Sequence, residues 1–418
     1  MIRGSIALAV LAVTASQPAR GESANSLGLD AAIGIAQASH PSVDAAQAAA
    51  AAASAKPGQV SSWDDPVFSF MTGIPLKSPM DPPLIEMKLT QKFPLSAIYS
   101  QKAEAAEASA EAFGTKVPSV ELDVALEVVL AYYRIVFLEE ERKVVEKQLE
   151  LAGSVVEAAT LRFASLAGNQ ADVIRARIAK QEMETALEVI DLDVRTAREV
   201  LVLLIGDGRD PEGFDVSTPP YPSVKQDAQT LISLAVSLRP ELAYFDAKAV
   251  ELAAKKKAAK SSYAPFLSVS AGYQYKSNSL AGLMGEDALA LGFAINLPVM
   301  VGKSKGAVDE AGALAAANEA RKREAVLSIA RKVVELRSAL AILVERISLQ
   351  EDKVIPEAGM ALELTLAAYT AQKADITDVL TALDKLLMAD RKRSRLRGSY
   401  FAAASLLRRQ VGSFEEPL

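Results

Sequence analysis

FLSVSAGYQYK, residues 266–276, alternates apolar Leu267, Val269, Ala271, Tyr273 and Tyr275 with Ser268, Ser270, Gly272, Gln274 and Lys276. Period two marks a strand with one apolar and one polar face. Three other segments share it. VFSFMTG (67–73) is short. LIEMKLTQKF (84–93) sets Ile85, Met87, Leu89 and Phe93 against Glu86, Lys88, Thr90 and Lys92. LALGFAINLPV (289–299) sets Leu289, Leu291, Phe293, Ile295 and Leu297 against Ala290, Gly292, Ala294 and Asn296.

The rest of the chain reads as helix, and it reads twice. Phe163 precedes Asp172-Val173-Ile174 by nine residues, and Tyr369 precedes Asp378-Val379-Leu380 by the same nine. Gly206 and Gly412 end the two helical blocks at the same offset of 206, and KFPLS (92–96) resembles NLPVM (296–300). ASHPSV (38–43) resembles SLRPEL (237–242) in the same way. An internal duplication is expected, with repeats over 22–206 and 225–418 joined by a Gly-, Pro- and Asp-rich linker at 207–224. Each repeat orders a short helix (about 28–56; about 226–262), a strand pair and two long helices (97–167 with 170–205; 303–371 with 374–411). Val145, Leu149, Ala152, Val156, Ala159, Phe163 and Leu166 step by 4 and 3. Val333, Leu336, Leu340, Leu343, Ile347, Gln350 and Val354 do likewise. Such seams mark coiled-coil packing. Pro118 and Pro356 are expected to interrupt it.

Composition narrows the function. A net charge of −6 over 418 residues argues against a nucleic-acid binder. The absence of cysteine removes disulfides, thiolate sites and the residue a bacterial lipid anchor needs, and His40, the single histidine, makes no His-rich metal site. Residues 1–21 have the shape of a secretory leader: Arg3, an apolar run from Ile6 to Ala15, then small residues. No stretch offers 18 uninterrupted apolar residues, so membrane entry must use strands. The alternation fits a soluble sheet packed on a helix, or a transmembrane barrel with lipid outside and a wet lumen inside. Leader and coiled coil together favour the barrel. Four strands cannot close one, so several chains must each donate a sheet, two giving 8 strands and three giving 12.

With these features the chain resembles the TolC family of bacterial outer-membrane efflux proteins. The resemblance rests on the duplicated order, HP…KFPLS and RP…NLPVMVGK, AYYRIVFLEEE (131–141), and the paired segments RFASLAGNQADVI and AYTAQKADITDVL. It implies a mainly α homotrimer: a 12-stranded outer-membrane barrel above a coiled-coil tunnel in the periplasm. The partners it implies are outer-membrane lipid, a periplasmic adaptor (membrane fusion) protein and an inner-membrane pump. It implies a passive conduit, with no catalytic residue, cofactor or metal site. The alternative is a soluble periplasmic coiled-coil scaffold or adaptor. The lipid face is then expected at Leu267, Val269, Tyr273, Tyr275, Leu291, Phe293 and Ile295. The family's gate pattern is an aromatic, a Gly three residues on and an Asp six further. It maps onto Tyr369, Gln372 (a departure from Gly) and Asp378, with Asp375 a second charge and Asp172 the counterpart in the first repeat. Three copies of Asp378 would form an acidic ring; helix capping is the alternative role. The Gly-Lys turn at 302–303 and the compact length resemble the heavy-metal branch of the family. VGKSKG (301–306) lacks the upstream Gly of a phosphate-binding loop, and the basic runs KKK (255–257) and RKRSRLR (391–397) read as solvated helix faces.

Overall fold

The computed structural model describes residues 27–73, 84–217, 221–222, 224–276 and 286–414, so the leader expected at 1–21 lies outside the described residues. The elements run α1 (Leu29–Ser39), α2 (Pro41–Ser54), α3 (Lys56–Ser61), β1 (Val67–Gly73), β2 (Leu84–Pro94), α4 (Ile98–Gly114), α5 (Lys116–Ala164) and α6 (Gln170–Ile205). Then come α7 (Ala228–Leu238), α8 (Pro240–Ser261), β3 (Phe266–Lys276), β4 (Glu286–Ile295), α9 (Gly302–Leu349), a π-helical turn (Gln350–Val354), α10 (Ile355–Thr370) and α11 (Ile376–Val411).

Prolines set several boundaries. Pro41 and Pro240 each occupy the first turn of a helix, behind the extended residues His40 and Arg239. The residue before proline is pushed out of the helical region, so each expected short helix is divided in two. The helix expected over 97–167 breaks at Thr115, shortly before Pro118. In the second repeat Pro356 sits in the first turn of α10, directly after the π turn. Proline supplies no N–H and crowds the carbonyl four residues back. A π turn inserts one residue and relieves that conflict.

The inserted residue shifts the seam. Val333, Leu336, Leu340, Ile347 and Gln350 are buried as the heptad requires, but Val354 is exposed. Burial resumes at Leu362 and Tyr369, with Ile355 half-buried between the helices, so the step from Ile347 is eight residues, not seven. Gln350 donates to the Ala389 carbonyl at 3.1 Å, which satisfies its amide in the core. In α5, Val145, Ala152 and Ala159 are buried, but Phe163 and Leu166 are exposed where the helix runs out.

Two separate apolar cores hold the long helices. One, nearer the sheet, gathers Val128, Tyr132, Phe137, Leu201, Leu340 and Phe401. The other, toward the hairpin tips, gathers Val145, Ala159, Val173, Tyr369, Val379 and Leu383. At 1.5 Å per residue the 49 residues of α5 extend about 70 Å. No helix among the described residues is long and apolar enough to cross a membrane.

The strands form one antiparallel sheet in the order β1-β2-β3-β4. β4 covers 286–295 rather than the expected 289–299. Its end follows from two groups. The Asn296 side-chain oxygen accepts the Phe266 N–H, and Pro298 offers no donor for a further rung.

Candidate functional site

Register decides what the sheet presents. Residues directly opposite in an antiparallel pair share a face. Phe68 lies opposite Leu89, Leu89 opposite Ala271, and Ala271 opposite Leu291. Phe70, Met87, Tyr273 and Leu289 make the next row. Phe93, Leu267 and Ile295 form another, as do Gln91, Val269 and Phe293. Every residue of the expected lipid face therefore falls on one side of the sheet, where Gln91 is a polar exception and Thr72 and Asp287 are others in the end row of Ile85 and Tyr275. Leu291 and Phe293 are 77% and 73% exposed. Tyr273, Tyr275 and Ile295 are exposed too, whereas Leu267 and Val269 are half-buried. The other side carries Ser69, Glu86, Lys88, Thr90, Ser268, Ser270, Gln274, Ala290, Gly292 and Ala294, with Val67, Met71 and Leu84 its larger apolar members. Gly292 is needed there, because a Cβ would stand 2.6 Å from Ser270 Oγ. One face thus suits hydrocarbon and the other suits water.

The two hairpin tips repeat each other's hydrogen bonds. Ser165 donates to Leu161, Leu166 to Phe163 and Ala167 to Arg162. Ala371, Gln372 and Lys373 donate to Ala367, Tyr369 and Ala368 in the same pattern. This closes a helix through a left-handed residue, a position usually given to glycine. Here Leu166 (φ 58°) and Gln372 (φ 62°) occupy it. The departure at Gln372 therefore stands at a strained position, which accounts for a glycine in the family pattern. Leu166→Gly and Gln372→Gly are each expected to stabilise their tip by about 1 kcal/mol. Leu166 is 94% exposed, so its side chain contributes no packing to lose. Hydrogen exchange over 161–176 and 367–382 reads this out. Unchanged protection would rule out strain at the tips.

The gate candidates separate into two groups. Tyr369 is fully buried, with the Arg162 guanidinium 4.1 Å from its ring centre, so the first tip is clamped on the second repeat. Burial pushes the Tyr369 phenol above its ordinary pKa, nearby Asp172 adds to this, and Arg162 opposes it. Asp375 and Asp378 lie in the same tip as Tyr369, across the turn. Asp375 is the N-cap of α11, and Asp378, three residues on, accepts the Asp375 N–H at 3.3 Å. Asp172 holds the corresponding third position of α6, where Asn169 caps and Arg175 stands 3.8 Å away. Carboxylates in a first helical turn also meet the positive end of the helix dipole.

A charged layer between the two cores escaped the sequence reading. The run RKRSRLR is a solvated face only in part: Lys392 and Arg395 are exposed, but its other arginines face acids. Arg391 donates to Glu141 at 2.6 Å and Arg397 to Glu140 at 2.7 Å. Arg198 pairs with Glu139, Arg142 with Asp191, and Gln148 with Asp390. EEER (139–142) and RKRSRLR (391–397) are complementary in charge, which was the available signal.

Residues 231–413 match the family model described as outer membrane efflux protein. No curated protein matches the chain. Among solved structures it is similar in fold to VceC, an outer membrane protein of Vibrio cholerae, at 21% identity and TM-score 0.73, covering 93% of this chain and 97% of that one. It is similar to CusC, described as forming a transmembrane channel, at 16% identity and TM-score 0.78 over 92% of each. The open-state MtrE outer membrane channel of Neisseria gonorrhoeae gives 17% identity and TM-score 0.73, over 92% of this chain and 89% of that one.

Proposed function

We propose that this chain, a member of the outer membrane efflux protein family (the TolC family), is the passive exit duct of a tripartite efflux system. Three copies donate four strands each to one outer-membrane barrel, and their long helices form a tunnel through the periplasm. The tunnel meets a periplasmic adaptor and an inner-membrane pump. The duct does no chemistry of its own; the pump supplies the energy. The observation that carries this reading is the sheet, whose apolar rows continue across all four strands and lie exposed in the single chain. A soluble scaffold would bury that face.

A cysteine-free chain makes the test clean. Single cysteines at Val269 and Ser270 point to opposite faces. In intact membranes the Val269→Cys variant is expected to take only a lipid-soluble probe, and the Ser270→Cys variant only a membrane-impermeant one. A soluble protein labelled by the aqueous probe at both positions would overturn the reading.

At the tunnel's far end the candidate gate is Tyr369 with Asp375 and Asp378 in the second tip, Tyr369 being clamped by Arg162 and neighboured by Asp172 of the first. The capping role of the two acids is compatible with an acidic constriction, because both carboxylates sit in the first turn of α11 at the tip itself. Asp375→Asn with Asp378→Asn is expected to raise single-channel conductance and weaken block by divalent cations. Unchanged current and block in a planar bilayer would remove these carboxylates from the gate.

A further inference from the structure

We propose that Leu297–Val301, just past β4, is an interfacial anchor that inserts into the phospholipid leaflet at the helix-proximal end of the barrel. The proposal rests on the barrel reading and extends it beyond the strands.

The segment is fixed at both ends and apolar between them. At its start, the Asn296 N–H donates to the Phe266 carbonyl at 3.3 Å, and the Asn296 side chain accepts the Phe266 N–H. At its end, Ser304 Oγ meets Ser262 Oγ at 2.9 Å, tying α9 to the end of α8. Between these pins the Val299 N–H donates to the Leu297 carbonyl at 2.8 Å, a three-residue turn about Pro298. The result is a hook on a rigid base. Leu297, Val299, Met300 and Val301 point away from the chain, with Val299 77% and Met300 86% exposed. Four neighbouring apolar side chains held in solvent on a pinned loop need a nonpolar partner.

Three features identify that partner as lipid. The hook continues the exposed apolar row Leu289, Leu291, Phe293 and Ile295 in the chain, directly beyond its last paired residue. It stands at the same end of the sheet as Trp63, whose ring meets Phe93 edge-on at 5.4 Å, and as the exposed Leu95. Tryptophan favours the level where acyl chains meet headgroups. Finally, Lys303 and Lys305 follow the hook and are exposed, and no acidic residue lies between Asp287 and Asp309. Asp64 and Asp65 precede β1, at the other edge of this sheet; closing the barrel brings that edge of the next copy against β4, where Lys303 and Lys305 also offset these two carboxylates. Apolar side chains followed within one helical turn by two ammonium groups match an anionic phospholipid surface.

The test uses the full chain reconstituted in vesicles of phosphatidylethanolamine and phosphatidylglycerol with brominated acyl chains. Trp63→Phe gives a background without tryptophan, since Trp63 is the single one. Into it go Val299→Trp and, as a control on the strand face, Phe293→Trp. The Val299→Trp emission is expected to be blue-shifted, quenched most by bromines near the headgroups, and insensitive to aqueous iodide. Adding Lys303→Glu and Lys305→Glu is expected to reduce that quenching. Emission quenched by iodide would put the hook in water and overturn the anchor. Emission reached by neither quencher would bury it against a second copy and overturn the anchor equally. If the Phe293→Trp control is not quenched by lipid, the barrel reading itself fails.

Discussion

Arginine in place of Phe293 is expected to prevent a stable trimer from accumulating in the outer membrane, whereas arginine in place of Ser270 is expected to be tolerated. Phe293 stands opposite Val269 and shares its face with Leu291 and Ile295. On the duct reading that face meets hydrocarbon. A guanidinium costs about 2–4 kcal/mol at the midplane of a barrel and less toward the interfaces; at Phe293, third from the end of β4, it is expected to cost roughly 1–3 kcal/mol in each of three copies. Ser270 lies on the other face, opposite Gly292, which leaves room for a longer side chain toward the lumen. The measurement is heat-resistant trimer in outer-membrane fractions, run unboiled on a denaturing gel. Equal yields for the two variants would contradict the assignment of faces.

The second large effect is expected at Arg409, where the two repeats are fastened together. Arg409 is buried, and it donates to Asp123 at 2.8 Å and to Glu241 at 2.6 Å. Arg239 also donates to Glu241, at 3.0 Å, and to Gln410 at 2.6 Å. One guanidinium thus joins α5, α8 and α11. Arg409→Met leaves Asp123 without a cation and Glu241 with Arg239 alone, and about 1–3 kcal/mol is expected to be lost. Burial alone would raise the Glu241 pKa. The hydrogen bonds from Arg239 and Arg409 outweigh it and hold Glu241 at about 2, below its ordinary 4.5. A carboxyl with a lowered folded-state pKa stabilises fully above its unfolded value and loses that contribution as pH falls toward its folded value. Wild-type stability is therefore expected to fall by about 3 kcal/mol from this group between roughly pH 5 and pH 2. Glu241→Gln should be less stable at neutral pH and should lack this part of the acid dependence. Thermal melts of the detergent-solubilised protein across that range decide it. Parallel pH profiles would show that Glu241 is not linked to folding.

Much of the architecture was legible because its signals are local. Alternation at 266–276 and 84–93 located strands to within a residue, since each side chain reports the face beneath it. Pro118 and Pro356 lie close to real discontinuities, whereas Pro41 and Pro240 divide helices expected to be whole. What stayed hidden depends on residues far apart or on backbone geometry that the residue type disguises. The π turn shows only as a five-residue step from Gln350 to Ile355, and Val354 fills the regular heptad position convincingly. The left-handed tips are masked because Leu166 and Gln372 replace the glycine that would betray them. Glu140 and Arg397 are separated by 257 positions, so the basic run looked solvated when read alone. Arg162 was passed over for the same reason, since its partner Tyr369 lies in the other repeat.

The charged layer between the two cores has a consequence for how the molecule comes apart. Apolar contact gives cooperativity, and here it is interrupted across the long helices at one level, where Glu139, Glu140, Glu141 and Arg142 face Arg198, Arg397, Arg391 and Asp191. Such a boundary divides the rod into two folding units that can melt separately. Part-exposed ion pairs are screened by salt, while buried apolar contacts are not. Ionic strength therefore acts on the joint and leaves both units intact. The half near the tips is therefore expected to loosen and re-form without unfolding the half near the sheet, like a flexible nozzle on a rigid pipe.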